Sequence, residues 1–132
     1  MDLSQVRLIT DDFRAMYLFY KDVIGLKPQF ETETGPYVAF KPDLGSALSL
    51  HSRTELSAVI PDLQPHGGDN ALISLRVDDL DAYLATLSVP TTSPVVLDDR
   101  IKVAYLRDPE GNLLELQQWL VTRSGAPVPP AQ

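Results

Sequence analysis

Glu115 stands in the run Leu113-Leu114-Glu115-Leu116-Gln117-Gln118-Trp119. Strand alternation there sends Leu114 and Leu116 to one face and Glu115, Gln117 and Trp119 to the other. A carboxylate on such a face is the best catalytic candidate of the chain, as a general base, provided that the face borders a cavity rather than solvent. Other segments add to it. If Val6, Leu8, Ile73, Leu75 and Val77 pack with Leu114 and Leu116 against helices, then Gln5, Arg7, Ser49, His51, Leu72, Ser74 and Arg76 share the face of Glu115. Arg7 and Arg76 would suit a ligand carboxylate or phosphate, because a guanidinium offers a planar fork of donors. They would equally suit charge pairing with Glu115 or with surface carboxylates in a partly buried sheet. Tyr105 and Trp119, near strand ends, are the aromatic residues assigned to the same pocket, whereas Tyr17, Phe19 and Tyr20 recur at helical spacing and belong to a core.

Other chemistries are poorly supplied. There is no cysteine, which removes disulfides, thiolate metal sites and thiol nucleophiles. Asp11-Asp12 and Asp78-Asp79 look like paired carboxylates, but their recurrence at two helix starts makes them N-caps. His66, beside Gly67-Gly68, reads as a solvated loop residue, and no Gly-rich phosphate loop or serine-elbow pattern occurs. A net charge of −7 without a basic stripe argues against a nucleic-acid partner. No apolar run approaches the ~18 residues of a membrane span, so no membrane partner is expected. The start, Met1-Asp2-Leu3-Ser4, lacks a basic region ahead of an apolar one, and the expectation is a cytoplasmic protein.

The elements that position these residues are written twice. Gly45, Leu48, Ser49 and Leu50 fall on Gly111, Leu114, Glu115 and Leu116, and Val6, Leu8, Asp11, Asp12 and Ala15 fall on Ile73, Leu75, Asp78, Asp79 and Ala82. Two copies are too few for a solenoid, so the halves should share a core. At 132 residues one domain is expected, 1–122, with pseudo-repeats at about 3–51 and 70–120, a linker at 52–69 and a disordered Pro-rich tail at 123–132. In the first half the pattern predicts a strand over 5–10, a helix from Asp11-Asp12 to about Val23 ended by Gly25, and strands over 27–34, 37–40 and 47–51. A short helix near 56–60 interrupts the linker. The second half repeats the order: a strand over 71–77, a helix over 79–87, then strands near 95–97, 101–106 and 113–120. Asp108-Pro109-Glu110-Gly111-Asn112 is a turn by composition.

Four of these segments, Val6-Arg7-Leu8-Ile9-Thr10-Asp11-Asp12-Phe13, Phe19-Tyr20-Lys21-Asp22-Val23-Ile24-Gly25-Leu26, Val77-Asp78-Asp79-Leu80-Asp81-Ala82 and Asp108-Pro109-Glu110-Gly111-Asn112-Leu113-Leu114-Glu115-Leu116, occur in an order that resembles the glyoxalase / bleomycin-resistance / extradiol-dioxygenase group, the vicinal oxygen chelate superfamily. The resemblance implies an α+β fold: two β-α-β-β-β modules forming a cupped, half-open eight-stranded mixed sheet with helices on the outside. It also implies one central site, where enzymatic members hold a divalent metal on the first and last strands of each module. Those positions here are Gln5, Ser49, Leu72 and Glu115, of which only Glu115 is a strong ligand and Leu72 is none. A rearranged set of Gln5, His51 and Glu115 is the remaining metal arrangement, with His51 otherwise a polar wall or strand-end residue. The implied function is a small-molecule-binding protein that holds a polar or anionic ligand in the cup through Gln5, Arg7, Ser49, His51, Ser74, Arg76, Tyr105, Glu115, Gln117 and Trp119, without a cofactor or a complete metal site. The alternative is a metal-dependent lyase, isomerase or dioxygenase with a reduced ligand set, or a metal-independent enzyme with Glu115 as base. The family's habit of pairing, and sheet edges that need covering, predict a homodimer.

Overall fold

The computed structural model describes residues 1–41, 47–122 and 127–128, and the chain divides into two compact units, Met1–Gly68 and Asp69–Gln132. In the first unit, β1 (Gln5–Thr10) leads to a helix whose first N–H groups need acceptors. Asp12 supplies one, its carboxylate accepting from the Ala15 N–H at 3.1 Å, and α1 (Phe13–Leu18) follows. The helix continues over Phe19–Ile24 with wider π-type turns and stops at Gly25, whose φ of 93° admits a left-handed cap. That crossover makes a parallel neighbour possible. β3 (Ala47–Ser52) pairs parallel with β1 and antiparallel with β2 (Tyr37–Phe40), giving the order β1-β3-β2. Met16, Tyr17, Tyr20, Val38, Phe40 and Leu50 form the buried core between helix and sheet.

Three expectations need correction in this unit. Residues 27–34 form no strand: Pro28 makes an isolated bridge to Phe40, and only the Gln29 N–H bonds onward, to the Ala39 carbonyl. Pro28 has no N–H to continue a ladder, and the Thr32 hydroxyl takes up the Gly35 N–H in a local turn instead. The eight strands expected are therefore seven among the described residues, three in this sheet and four in the next. Val6 does not pack against a helix but is 49% exposed, because β1 is an edge strand and α1 lies over β3. The short helix of the linker, α2 (Arg53–Leu56), begins where β3 ends, three residues ahead of its expected place. Arg53 anchors it, donating through Nε to Asp11 at 2.7 Å, and Leu56 buries its side chain.

The second unit repeats the plan. β4 (Leu72–Arg76) pairs parallel with β7 (Leu113–Trp119), and β6 (Ile101–Arg107) and β5 (Val95–Leu97) extend the sheet antiparallel in the order β4-β7-β6-β5. First and last strands are thus parallel partners in both units, as the repeated pattern requires. α3 (Leu80–Thr86) is capped by Asp79, whose carboxylate accepts from the Ala82 N–H at 3.1 Å, and by the Gln118 side chain, which accepts from the Leu80 N–H at 2.9 Å. Leu80, Leu114, Leu116, Ala104 and Leu106 are its buried core. Between β6 and β7 the expected turn forms around Asp108, whose Oδ1 accepts from the Glu110 and Asn112 N–H groups at 2.9 Å each. Gly111 takes φ 85° there, and Arg107 locks the turn's flank by a two-pronged bond to Asp69 at 2.8 Å.

The tail expectation falls mostly on residues outside the described ones, as does the Gly45 end of the repeat. Pro127 bridges Val121, and the Val128 N–H donates to the Leu120 carbonyl at 3.0 Å. Among the described residues no helix is long and apolar enough to cross a membrane.

Candidate functional site

Each sheet carries a set of polar side chains on the face opposite the buried leucines, and in each unit members of this set bond to one another. In the first unit Gln5 Oε1 accepts from the Tyr37 hydroxyl and from the Ser49 hydroxyl, both at 2.7 Å, and the two hydroxyls lie 3.2 Å apart. Ser49 is fully buried, so its hydroxyl would carry a penalty of about 1–3 kcal/mol if left without a partner. Two residues on, His51 bridges Arg7 and Glu55. Arg7 Nη1 is 3.1 Å from Nδ1 of the imidazole, and Glu55 Oε1 is 3.2 Å from Nε2. The Tyr37 ring meets the imidazole nearly edge-on, with centroids 5.3 Å apart, so Tyr37 joins the two groups.

In the second unit the node is acidic. Glu115 is buried, and its carboxylate accepts from Ser74 at 3.2 Å and from Gln117 Nε2 on Oε1, and from the Tyr105 hydroxyl at 2.8 Å on Oε2. Three neutral donors thus replace the water this charge gave up on burial. The carboxylate in turn holds the Tyr105 phenol above its ordinary range, chiefly by accepting its proton in a hydrogen bond, with desolvation and negative charge adding to the effect. Arg76 lies over the Trp119 ring at 5.9 Å.

The structure therefore brings Gln5, Arg7, Ser49 and His51 together in one unit and Ser74, Tyr105, Glu115 and Gln117 together in the other, with Arg76 and Trp119 beside them on β4 and β7. The charge pairing considered for the arginines is absent: neither Arg7 nor Arg76 makes an ion pair among the described residues, and Glu115 is satisfied by neutral donors. Sequence reasoning missed Tyr37 and Glu55. Tyr37 was within reach, since β2 alternation opposes it to Val38 and antiparallel pairing sets it against His51. Glu55 was not, because its place depends on α2 starting directly after β3.

A divalent metal fits this donor set poorly. Of the four positions that the resemblance gives to ligands, Leu72 has no donor atom, and the Gln5 carbonyl and Ser49 hydroxyl are engaged with each other and with Tyr37. Among the described residues no group of three or more His, Cys, Asp or Glu could hold a metal ion.

Residues 2–116 match the family model of the Glyoxalase/Bleomycin resistance protein/Dioxygenase superfamily. The chain belongs to that superfamily. Its relatives include YraH, an uncharacterized protein of Bacillus subtilis (strain 168), 27% identical over 133 residues that span 91% of this chain and 100% of YraH. Of solved superfamily-like structures, a lactoylglutathione lyase from Agrobacterium tumefaciens superimposes with a TM-score of 0.66 at 26% identity, covering 88% of this chain and 92% of that one. TnmS3, an antibiotic binding protein from Streptomyces sp. CB03234, superimposes with a TM-score of 0.68 at 21% identity, covering 90% and 96%. The glyoxalase/bleomycin resistance/dioxygenase fold is thus shared with both a lyase and a binding protein, and the side chains must decide between them.

Proposed function

We propose that this superfamily member binds a polar or anionic small molecule through the polar faces of its sheets, sequestering or sensing it without a complete divalent-metal site. One observation carries the reading: Arg7 is held by an imidazole and Arg76 by an indole, so neither guanidinium is neutralised by a carboxylate among the described residues. Such cations, fixed but not satisfied, suit a carboxylate or phosphate of a ligand. The likeness in fold to an antibiotic binding protein is compatible with this. The second reading is a metal-independent enzyme, favoured by a buried Glu115 whose Oε2 accepts, among the described residues, one hydrogen bond, from Tyr105, and so keeps a lone pair for a substrate proton.

The test is a thermal-shift screen of small anionic and polar compounds, run with and without chelator. A stabilising compound should bind about ten- to hundredfold more weakly to Arg7→Ala or Arg76→Ala, since a charge-assisted hydrogen bond contributes about 1.5–3 kcal/mol. The apo melting temperature should hardly move. Protein purified without affinity metal should carry well under one equivalent of Zn, Mn, Ni or Fe, and stoichiometric metal lost on Glu115→Ala would sink the metal-free reading. Turnover of a screened compound, abolished by Glu115→Gln, would favour the second reading. The same proposal takes the protein as cytoplasmic and as a homodimer, the pairing supported by Val95, Val96 and Leu97, all exposed on the edge strand β5. Light scattering that gives a monomer at micromolar concentration counts against it.

A further inference from the structure

The contact between Arg7 and His51 has a definite polarity. Arginine has only donors, so Arg7 Nη1–H donates to Nδ1, which must carry a lone pair. A carboxylate accepts, so Nε2 carries the ring proton and donates it to Glu55 Oε1. The ring has little freedom to choose otherwise. Its side chain is only 12% exposed, it lies against the edge of the Tyr37 ring, and the Tyr37 hydroxyl is itself tied to Gln5 and Ser49.

We propose that Glu55 and His51 are positioning residues that act in series, Glu55 fixing the imidazole and the imidazole fixing the Arg7 guanidinium, so that Arg7 meets a ligand carboxylate or phosphate pre-oriented and with its charge intact. This rests on the reading of Arg7 as a ligand-binding residue. A glutamate bonded directly to Arg7 would orient it equally well but would neutralise it. Here the imbalance is avoided because two hydrogen bonds of 3.1 and 3.2 Å, with a whole ring between them, keep Glu55 well beyond ion-pair contact with Arg7. The carboxylate on Nε2–H also makes Nδ1 a better acceptor, as second-layer carboxylates do for other oriented histidines. One guanidinium N–H is spent on His51, which leaves the rest of the fork to grip an oxyanion in two-pronged fashion. Freezing the fork in advance removes an ordering cost that binding would otherwise carry.

The experiment separates the two ring nitrogens. In His51→Asn the shorter amide places an acceptor where Nδ1 stood; in His51→Gln the longer amide places its polar end where Nε2 stood. The full chain, labelled with ¹⁵N, is examined without ligand: long-range imidazole spectra report the His51 tautomer, and the Arg7 Nε–H resonance, assigned by its loss in Arg7→Lys, reports whether the guanidinium is held. The wild type should show the Nε2–H tautomer and a protected Arg7 signal. His51→Asn should keep that signal; His51→Gln and Glu55→Ala should broaden or lose it. Inorganic phosphate, titrated as the probe, should bind about fivefold more weakly to His51→Gln and nearly normally to His51→Asn, the loss of one hydrogen bond. An Nδ1–H tautomer, or an Arg7 signal that responds alike to the Asn and Gln variants, overturns the relay. Glu55 is half exposed, so its variant tests the chain of contacts even if a His51 variant fails to fold. If the apo signals follow the expected pattern while phosphate affinity ignores Arg7→Ala, the relay stands and the ligand-binding reading of Arg7 falls.

Discussion

Ser49 and Glu115 stand one repeat apart, each on the last strand of its unit, each buried and each reached by a tyrosine hydroxyl from the neighbouring antiparallel strand. Around Ser49 every group is neutral: the Gln5 carbonyl, Ser49 and Tyr37 satisfy one another, and the charges sit two residues further on, in Arg7 and the His51–Glu55 pair. Around Glu115 the charge is at the centre, and Ser74, Tyr105 and Gln117 turn their donors inward to it. The tyrosines are not equivalent in the repeat. Tyr37 is the partner of His51 in the ladder and leans diagonally to Ser49, whereas Tyr105 is directly opposite Glu115. One backbone plan thus supports a neutral node and an acidic node because a strand position dictates only which face a side chain occupies, and its neighbours dictate what charge that face tolerates.

The largest expected effects probe the backbone plan the two units share. Leu50→Ala and Leu116→Ala remove fully buried side chains from matched strands, and each should cost about 2–5 kcal/mol in urea unfolding. A cost below about 1 kcal/mol in one of them would show that its sheet face can collapse around the void. The nodes themselves come next. Glu115→Ala strands Ser74, Tyr105 and Gln117 without their shared acceptor and should cost about 1–3 kcal/mol, more than Ser49→Ala at about 0.5–1.5 kcal/mol, where Tyr37 keeps its bond to Gln5. Equal costs would mean that the acidic node is no more cooperative than the neutral one.

A pH titration sharpens the same contrast. The Tyr105 phenol is held up by the Glu115 carboxylate, so its contribution to stability is complete below the phenol's ordinary range and is lost as pH rises through its raised folded value. Absorbance titration should find a tyrosine that ionises late and that moves back toward the ordinary value in Glu115→Gln. An unchanged curve would place the cause in burial rather than in the carboxylate. Asp12→Ala and Asp79→Ala should give the smallest effects, about 1 kcal/mol each and nearly equal, because both carboxylates accept from the N–H three residues on at 3.1 Å.

The sequence by itself determined the repeat, the helix starts at the Asp11-Asp12 and Asp78-Asp79 pairs, the turn at Asp108–Asn112, and the strand faces that gather Gln5, Arg7, Ser49 and His51 in one unit and Ser74, Glu115 and Gln117 in the other; which aspartate of each pair caps its helix, Asp12 and Asp79, is settled by the structure. These follow from local rules: alternation with period two, side chains that bond their own backbone, and glycine where φ is positive. Its failures are equally physical. Pattern alone made a strand of 27–34, although Pro28 and the Thr32–Gly35 turn withdraw the donors that a ladder needs. It also buried Val6, since alternation tells the face of a residue and not whether a helix covers the end of an edge strand. What the arginines contact was left open, ligand against carboxylate, because that depends on groups distant in the chain. Arg7 meets His51 across 44 positions, and Glu115 finds Ser74 across 41. Only the pairing of the parallel first and last strands brings such residues within hydrogen-bond reach. Tertiary structure therefore decided that Glu115 is satisfied by neutral donors and that, among the described residues, neither Arg7 nor Arg76 meets a carboxylate.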